Sequence, residues 1–225
     1  MTETSLLTST IAIVVNGDLP GNDRLAEVWR QSELVISTDG AVNSLMVRGH
    51  LPHVVVGDLD SLDPRVRELL PASVEVIEVS CQESTDLEKA FRLALLRGAS
   101  EVVVAGIGGG RLDHAITNLA ILYKFRREVP IRLIEPSGYG ILMAAENHPE
   151  QFTFTGRLGR TVSLVPFGTV EGVRTAGLRY PLNGESLAWG VREGQSNEAV
   201  DKEVVIEIRR GMLLVFSEEA IERVG

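Results

Sequence analysis

Asp58, Asp60 and Asp63 crowd into the stretch VVVGDLDSLDP, residues 54–64, directly after three valines. Carboxylates this close repel one another unless a cation or an N–H donor answers their charge. Asp63 precedes Pro64, a good first-turn residue, and reads as the cap of the helix that follows. Asp58 and Asp60 would gain little by capping that same helix, so they read as cation ligands. Only carboxylates and neutral oxygens converge here; Cys81 is the single cysteine, and no two histidines stand at transition-metal spacing. Such a set suits Mg²⁺ shared with a phosphate substrate better than a fully caged Ca²⁺. Asp86 is the candidate to complete it.

A second cluster is GIGGGRLDH, Gly106 to His114. Its glycines let backbone N–H groups approach an anion, and Arg111 adds a charged clamp for phosphate oxygens. Arg111 occupies the place of the third glycine of G-x-G-x-x-G, and no G-K-[ST] occurs in the chain, so neither the dinucleotide fingerprint nor the P-loop is present. His114 reads as a hydrogen-bonding residue behind the site. His50, His53 and His148 read as structural background, and Asp39 taken alone reads as a cap or turn residue.

These groups need elements to hold them. TIAIVV, LVIST, HVVVG, VEVIEV, EVVVAG and IRLIE are short, β-branched and nearly continuous in apolar residues. That pattern predicts strands covered on both faces, as in a parallel sheet with crossover helices. Between the fourth and fifth, TDLEKAFRLALLRG sets Leu87, Ala90, Phe91, Ala94 and Leu95 at core-facing spacing. Thr85 and Glu88 predict a capping box and Gly98 a C-terminal stop, which puts Asp86 in the first helical turn. In DHAITNLAILYKF, Ile116, Leu119 and Tyr123 share one side of a helix, and His114 with Asn118 another.

Ligands of open parallel sheets bind at the carboxyl ends of strands. The polar clusters follow that rule: NGD, TDGAVN, GDLDS, QESTD and GIGGGRLDH each come after a predicted strand. After about Ser137 the pattern changes to short alternating segments, QFTFTG, TVSLVPFG, VVIEIRRG and MLLVFS, separated by Gly, Pro and Asn. The expectation is an α/β parallel-sheet domain over residues 1–138 and an all-β sandwich over residues 139–225.

Composition narrows the class further. A chain of 225 residues buries a core without staples. Its net charge of −9, with Arg and Lys scattered, lacks the footprint of a nucleic-acid binder. The start MTETSLLTST lacks the pattern of a signal peptide, and no apolar run approaches a membrane span. A soluble cytoplasmic protein is expected, with disorder confined to the first few residues.

The order and spacing of VVNGD, DGAVNSL, GDLDS, QESTDLEKA, GGGRLDHAITNLAIL and GQSNEA resemble the thiamine pyrophosphokinase family over nearly the whole chain. The resemblance implies transfer of a diphosphate from ATP to the hydroxyl of thiamine, giving AMP, with Mg²⁺ required. It also implies a catalytic domain, a β-sandwich domain, and a homodimer with thiamine between subunits. By the same resemblance, Asp58, Asp60 and Asp86 are Mg²⁺ and catalytic acids, and Gln82 and Arg111 lie near the transferred phosphates. Asn16, Asp39, Asn43, Thr85, Gly109, Gly110, Asp113 and Asn118 belong to the ATP and phosphate cleft. Ser196 and Asn197 match the vitamin site, and Trp189 is the candidate for an aromatic stacked on thiamine, against the alternative of a packed sandwich residue. Competing readings are a diphosphokinase of another alcohol such as a hydroxymethyl pterin, a non-catalytic nucleotide-binding module, and a metal-dependent phosphohydrolase.

Overall fold

A computed structural model describes residues 9–224. What was expected of the first few residues lies outside them. The chain divides into two compact units, Met1–Pro136 and Ser137–Gly225.

The first unit alternates strands and helices: β1 (Thr10–Val14), α1 (Asn22–Gln31), β2 (Leu34–Thr38), α2 (Asp39–Val47), β3 (Val54–Gly57) and α3 (Pro64–Leu69). Then come β4 (Glu75–Glu78), α4 (Asp86–Leu96), β5 (Glu101–Ala105), α5 (Leu112–Phe125) and β6 (Ile131–Glu135). The strands are parallel in the order β4-β3-β2-β1-β5-β6. The chain thus works outward from β1 to β4, then returns to β1's other side. A crevice opens where the winding reverses, beyond the ends of β1 and β5.

Residues Val54 to Gly57 of β3 are buried throughout, as a doubly covered strand requires. On β4 that expectation fails: its residues are exposed or half-buried, and among the described residues it pairs with β3 alone. An edge strand with Glu75 and Glu78 at its two ends is protected by charge rather than by cover. Helix α4 buries Leu87, Ala90, Phe91 and Ala94 as expected, and the Phe91 ring stacks on Phe125 of α5 at 4.7 Å. The Thr85 hydroxyl accepts from the Glu88 N–H at 3.2 Å, a cap worth about 1 kcal/mol. The box, however, is half made: the Glu88 carboxylate accepts instead from Arg92 and Lys124, both at 2.6 Å. Asp63 caps α3 as expected, taking the Arg65 N–H at 2.8 Å.

Helix α5 packs through Ile121, Leu122 and Phe125. The side bearing Ile116 and Tyr123 faces outward, with these residues 55% and 42% exposed, and Leu112 is 74% exposed. A helix apolar on more than one side has one face left over when a single sheet covers it.

The second unit is all β: β7 (Gly138–Ala145), β8 (Glu150–Thr155), β9 (Thr161–Ala176), β10 (Asn183–Ala188), β11 (Gly194–Glu198), β12 (Glu203–Ile208) and β13 (Arg210–Ser217). Strand β13 lies antiparallel between β7 and β9, and β12 between β8 and β9. Sequence patterning stops the second of its segments at Gly168, but β9 runs on to Ala176. Pro166, which cannot donate to a ladder, falls where β11 pairing has ended at Leu164 and β10 pairing has not begun at Thr169. Phe152, Phe154, Leu164, Val173, Leu187, Ile206 and Leu213 belong to the core of this unit. No helix among the described residues is long and apolar enough to cross a membrane.

Candidate active site

All the strand-end clusters of the first unit meet at one cleft of about 560 Å³. Asn16 and Gly17 line it after β1, Thr38 and Asp39 at β2, Asp58 and Ser61 after β3, Thr85, Asp86 and Lys89 at α4, and Gly109, Arg111, Asp113 and Asn118 after β5. The loops after β1 and β5 touch through backbone: a Cβ on Gly17 would stand 2.2 Å from the Gly108 carbonyl oxygen. Only glycine permits that approach.

The acids are arranged as one group. Carboxylate oxygens of Asp39, Asp58 and Asp60 lie within 4.8 Å of one another. Leu59, between two of them, has φ of 65°, a left-handed conformation rare outside glycine. Its side chain packs with the cluster of Val42, Val55, Leu62 and Val74. Asp58 accepts from the Asp60 N–H at 3.3 Å and from the Gln82 amide at 3.1 Å. The Asp60 N–H holds the Asp58 carboxyl below its usual range, with Gln82 assisting. The Ser61 hydroxyl donates to Asp60 at 2.9 Å.

Asp39 is not a cap. Thr38 holds the N-cap position, and the Asp39 carboxylate is buried, at 2% exposure. It takes the Gly40 N–H at 2.6 Å and the Ser61 N–H at 3.4 Å. Burial raises its pKa, and repulsion from Asp86 adds to the rise. Gly57 leaves room for it, since a Cβ there would lie 2.7 Å from the Asp39 carboxyl carbon.

Asp86 stands at the start of α4 with Lys89 at 2.9 Å. Sequence reasoning missed Lys89, whose side chain is 4% exposed and feels Asp58 and Asp39 as well. The available signal was its i, i+3 spacing from Asp86 on a helix. The hydroxyl of Thr38 on the cleft wall is buried and has no hydrogen-bond partner among the described residues.

Some expected residues support the cleft without lining it. Asn43 donates to the Ser61 carbonyl at 2.8 Å and accepts from the Asp63 N–H at 3.0 Å, so its amide clamps the acidic loop. Asn118, which lines the cleft, donates to the Ile107 carbonyl at 2.9 Å. Arg111 is 73% exposed at its side chain and makes a two-point pair with Asp113, at 3.1 and 2.6 Å. The guanidinium holds the Asp113 carboxyl down at about 2. Gly109 and Gly110 both have positive φ, 78° and 59°. Two N–H groups of this loop are already spent: those of Ile107 and Gly108 are taken by Glu135, which sequence reasoning also missed.

In the second unit, a hollow of about 250 Å³ is lined by Tyr180, Leu187, Arg192, Gln195, Ser196 and Asn197. Ser196 has φ of 59°, and its N–H donates to the Ser163 hydroxyl at 3.0 Å. The buried Asn197 amide is spent on backbone: it accepts from the Tyr180 N–H at 3.0 Å and donates to the Tyr180 carbonyl at 2.8 Å. Trp189 is 61% exposed and sits edge-on to Phe167, with ring centroids 6.5 Å apart. It does not line that hollow.

Two family models match the chain. One is described as thiamin pyrophosphokinase, catalytic domain, and covers residues 25–133. The other is described as thiamin pyrophosphokinase, vitamin B1 binding domain, and covers residues 148–213. A thiamine pyrophosphokinase of Bacillus subtilis is 27% identical, with 92% of this chain and 97% of the relative covered. Thiamine pyrophosphokinase 1 of Oryza sativa subsp. japonica is 29% identical, over 86% of this chain and 81% of the relative. The crystal structure of thiamine pyrophosphokinase from Bacillus subtilis superposes with a TM-score of 0.80 at 26% identity, covering 93% of this chain and 98% of the other.

Proposed function

The chain belongs to the thiamine pyrophosphokinase family and transfers a diphosphate from ATP to the hydroxyl of thiamine, and we propose that the strand-end cleft of its first unit is where that transfer occurs. The observation that carries the assignment is the convergence of Asp39, Asp58 and Asp60 within 4.8 Å beside the Asp86–Lys89 pair, in the same cleft as Arg111. The donor set is all hard oxygen and fits magnesium, and the unpartnered Thr38 hydroxyl fits a cleft completed by a polar ligand. Asp58, Asp60 and Asp86 would hold the ion, with Asp39 behind them. Magnesium when bound supplies neutralisation of phosphate charge and alignment for in-line displacement.

The protein's own groups do the rest. The alcohol oxygen attacks the β-phosphorus and gives up its proton to solvent, the bond from that phosphorus to the oxygen bridging to the α-phosphate breaks, and AMP leaves with that oxygen. Arg111, already set as a two-pronged donor on the exposed Asp113, exchanges that partner for phosphate oxygens. Lys89 offsets repulsion among Asp86, Asp58 and Asp39, and its pair with Asp86 sets that carboxylate to orient the attacking hydroxyl. Asn43 and Asn118 hold the loops on the two sides. Gln82 steadies Asp58, and Asn16, Thr85, Gly109 and Gly110 complete the nucleotide cleft.

The second unit is proposed as a sandwich that binds the vitamin through the hollow at Ser196 and Asn197. The change of partners along β9 supports two layers. Exposed Trp189, which lies outside that hollow, is the aromatic available to the ring. A homodimer is supported by the open apolar side of α5, and a reducing cytoplasm by the single, exposed Cys81. Incubation with Mg·ATP and thiamine, followed by quantitation of AMP and thiamine diphosphate, tests the assignment. Equal amounts are expected. AMP with a hydroxymethyl pterin and none with thiamine would transfer the reading to another alcohol.

A further inference from the structure

A buried carboxylate that the reaction above does not use lies against the glycine-rich loop. Glu135, the last residue of β6, is 7% exposed. Its Oε1 accepts from the Ile107 N–H at 3.0 Å and its Oε2 from the Gly108 N–H at 3.4 Å. Asn118 of α5 donates to the carbonyl of the same Ile107 at 2.9 Å. The loop is therefore gripped through main-chain atoms on both sides of one residue, from two elements. Gly109 and Arg111, which line the cleft, follow directly.

Converging N–H groups of a glycine-rich turn form an anion site. Here the anion is part of the chain. An amide is not equivalent to it: a glutamine would turn its NH₂ toward one of the two N–H donors and leave that donor unpaired. We propose that Glu135 is a positioning residue for diphosphate transfer, its carboxylate holding the loop that presents Gly109 and Arg111 to the nucleotide. The inference rests on the cleft being the nucleotide site.

The hold is linked to the proton on Glu135. Burial pushes the Glu135 carboxyl up to about 7, against the pull of the Ile107, Gly108 and Gly106 N–H groups, and Asp18 from the loop after β1 adds to the rise. From α1, Arg24 donates to the Glu135 main-chain carbonyl at 2.8 Å. A carboxyl that titrates higher in the closed loop than in water favours the closed loop while protonated, and that contribution is lost as pH rises through about 7.

Backbone hydrogen exchange at Ile107 and Gly108 tests the grip without any substrate. Corrected for intrinsic rates, protection in the native sequence is expected to fall about tenfold from about pH 6 to about pH 8. Glu135→Gln is expected to abolish that fall and to increase KM for Mg·ATP about tenfold, leaving KM for thiamine unchanged. Protection that does not vary with pH in the native sequence overturns the proposal, and so does an unchanged KM for Mg·ATP in a folded Glu135→Gln. If that variant does not fold, the pH series on the native sequence decides alone. Native protein that protects the loop as expected but makes no AMP from thiamine would reject the reaction assigned to the cleft and not the role of Glu135 in ordering the loop.

Discussion

The loop after β3 carries Asp58, Asp60 and Asp63 around a leucine at φ 65°, whereas the loop after β5 reaches positive φ only at Gly106, Gly109 and Gly110. Both deliver polar groups to one cleft. A left-handed leucine costs roughly 1–2 kcal/mol, which a glycine does not incur. What the leucine provides is an anchor, because Leu59 packs beside Val42, Val55, Leu62 and Val74 while its flanking carboxylates face one another. The glycine loop has far less side chain to anchor. It is held instead through its main chain, by Glu135 and Asn118. Mutually repelling acids need the stiffer solution, and a backbone that must come within 2.2 Å of an added Cβ on Gly17 leaves room only for the bare one.

The largest effect should come from removing an acid from the first loop. Asp60→Asn is expected to lower AMP formation by at least about 10³-fold with thiamine and Mg·ATP. Because Asp60 is exposed, its thermal transition should stay near that of the native protein, and retained turnover would remove Asp60 from the metal set. Next come the two asparagine clamps, which separate the loops. Asn43→Ala frees the Ser61 carbonyl and the Asp63 N–H and should raise the Mg²⁺ concentration for half-maximal activity about 10- to 100-fold. Asn118→Ala should raise KM for Mg·ATP with little change in the Mg²⁺ requirement, and identical kinetic signatures in the two variants would erase the distinction between the loops. Leu59→Gly is the finest test, since it relieves φ and removes the anchor together. A Mg²⁺ requirement several-fold higher, roughly the effect of about 1 kcal/mol, is expected if packing positions the acids. Unchanged or tighter Mg²⁺ dependence would mean that the turn alone suffices.

Much of the first unit was legible because its signals are local. Runs such as VVV before GDLDS mark buried strands, Thr85 and Asp63 cap helices with their own side chains, and each polar cluster follows a strand end. The exposed β4 was not legible, because VEVIEV looks the same whether or not a further strand pairs with it. Nor was the outward side of α5, which depends on which of two apolar faces the sheet takes. Glu88 satisfies the capping-box spacing, yet Arg92 and Lys124 compete for it, and Lys124 arrives from another helix. The length of β9 was hidden by Pro166 and Gly168, which read as turn residues until β11 and β10 are seen to leave a gap there. Asn197 matches a vitamin-site motif, but only the fold reveals that Tyr180 occupies its amide.

What the sequence by itself determined is the set of strands, the order of their polar ends and the family to which those ends point, because strand propensity, capping and motif spacing act over a few residues. Only the tertiary structure decided that Asp39 joins Asp58 and Asp60, that Lys89 sits among them, and that Glu135 holds the glycine loop from β6. Those assignments depend on burial and on charges that meet across strands far apart in the chain, where the cost of desolvation selects which carboxylate keeps its proton and which one finds a partner.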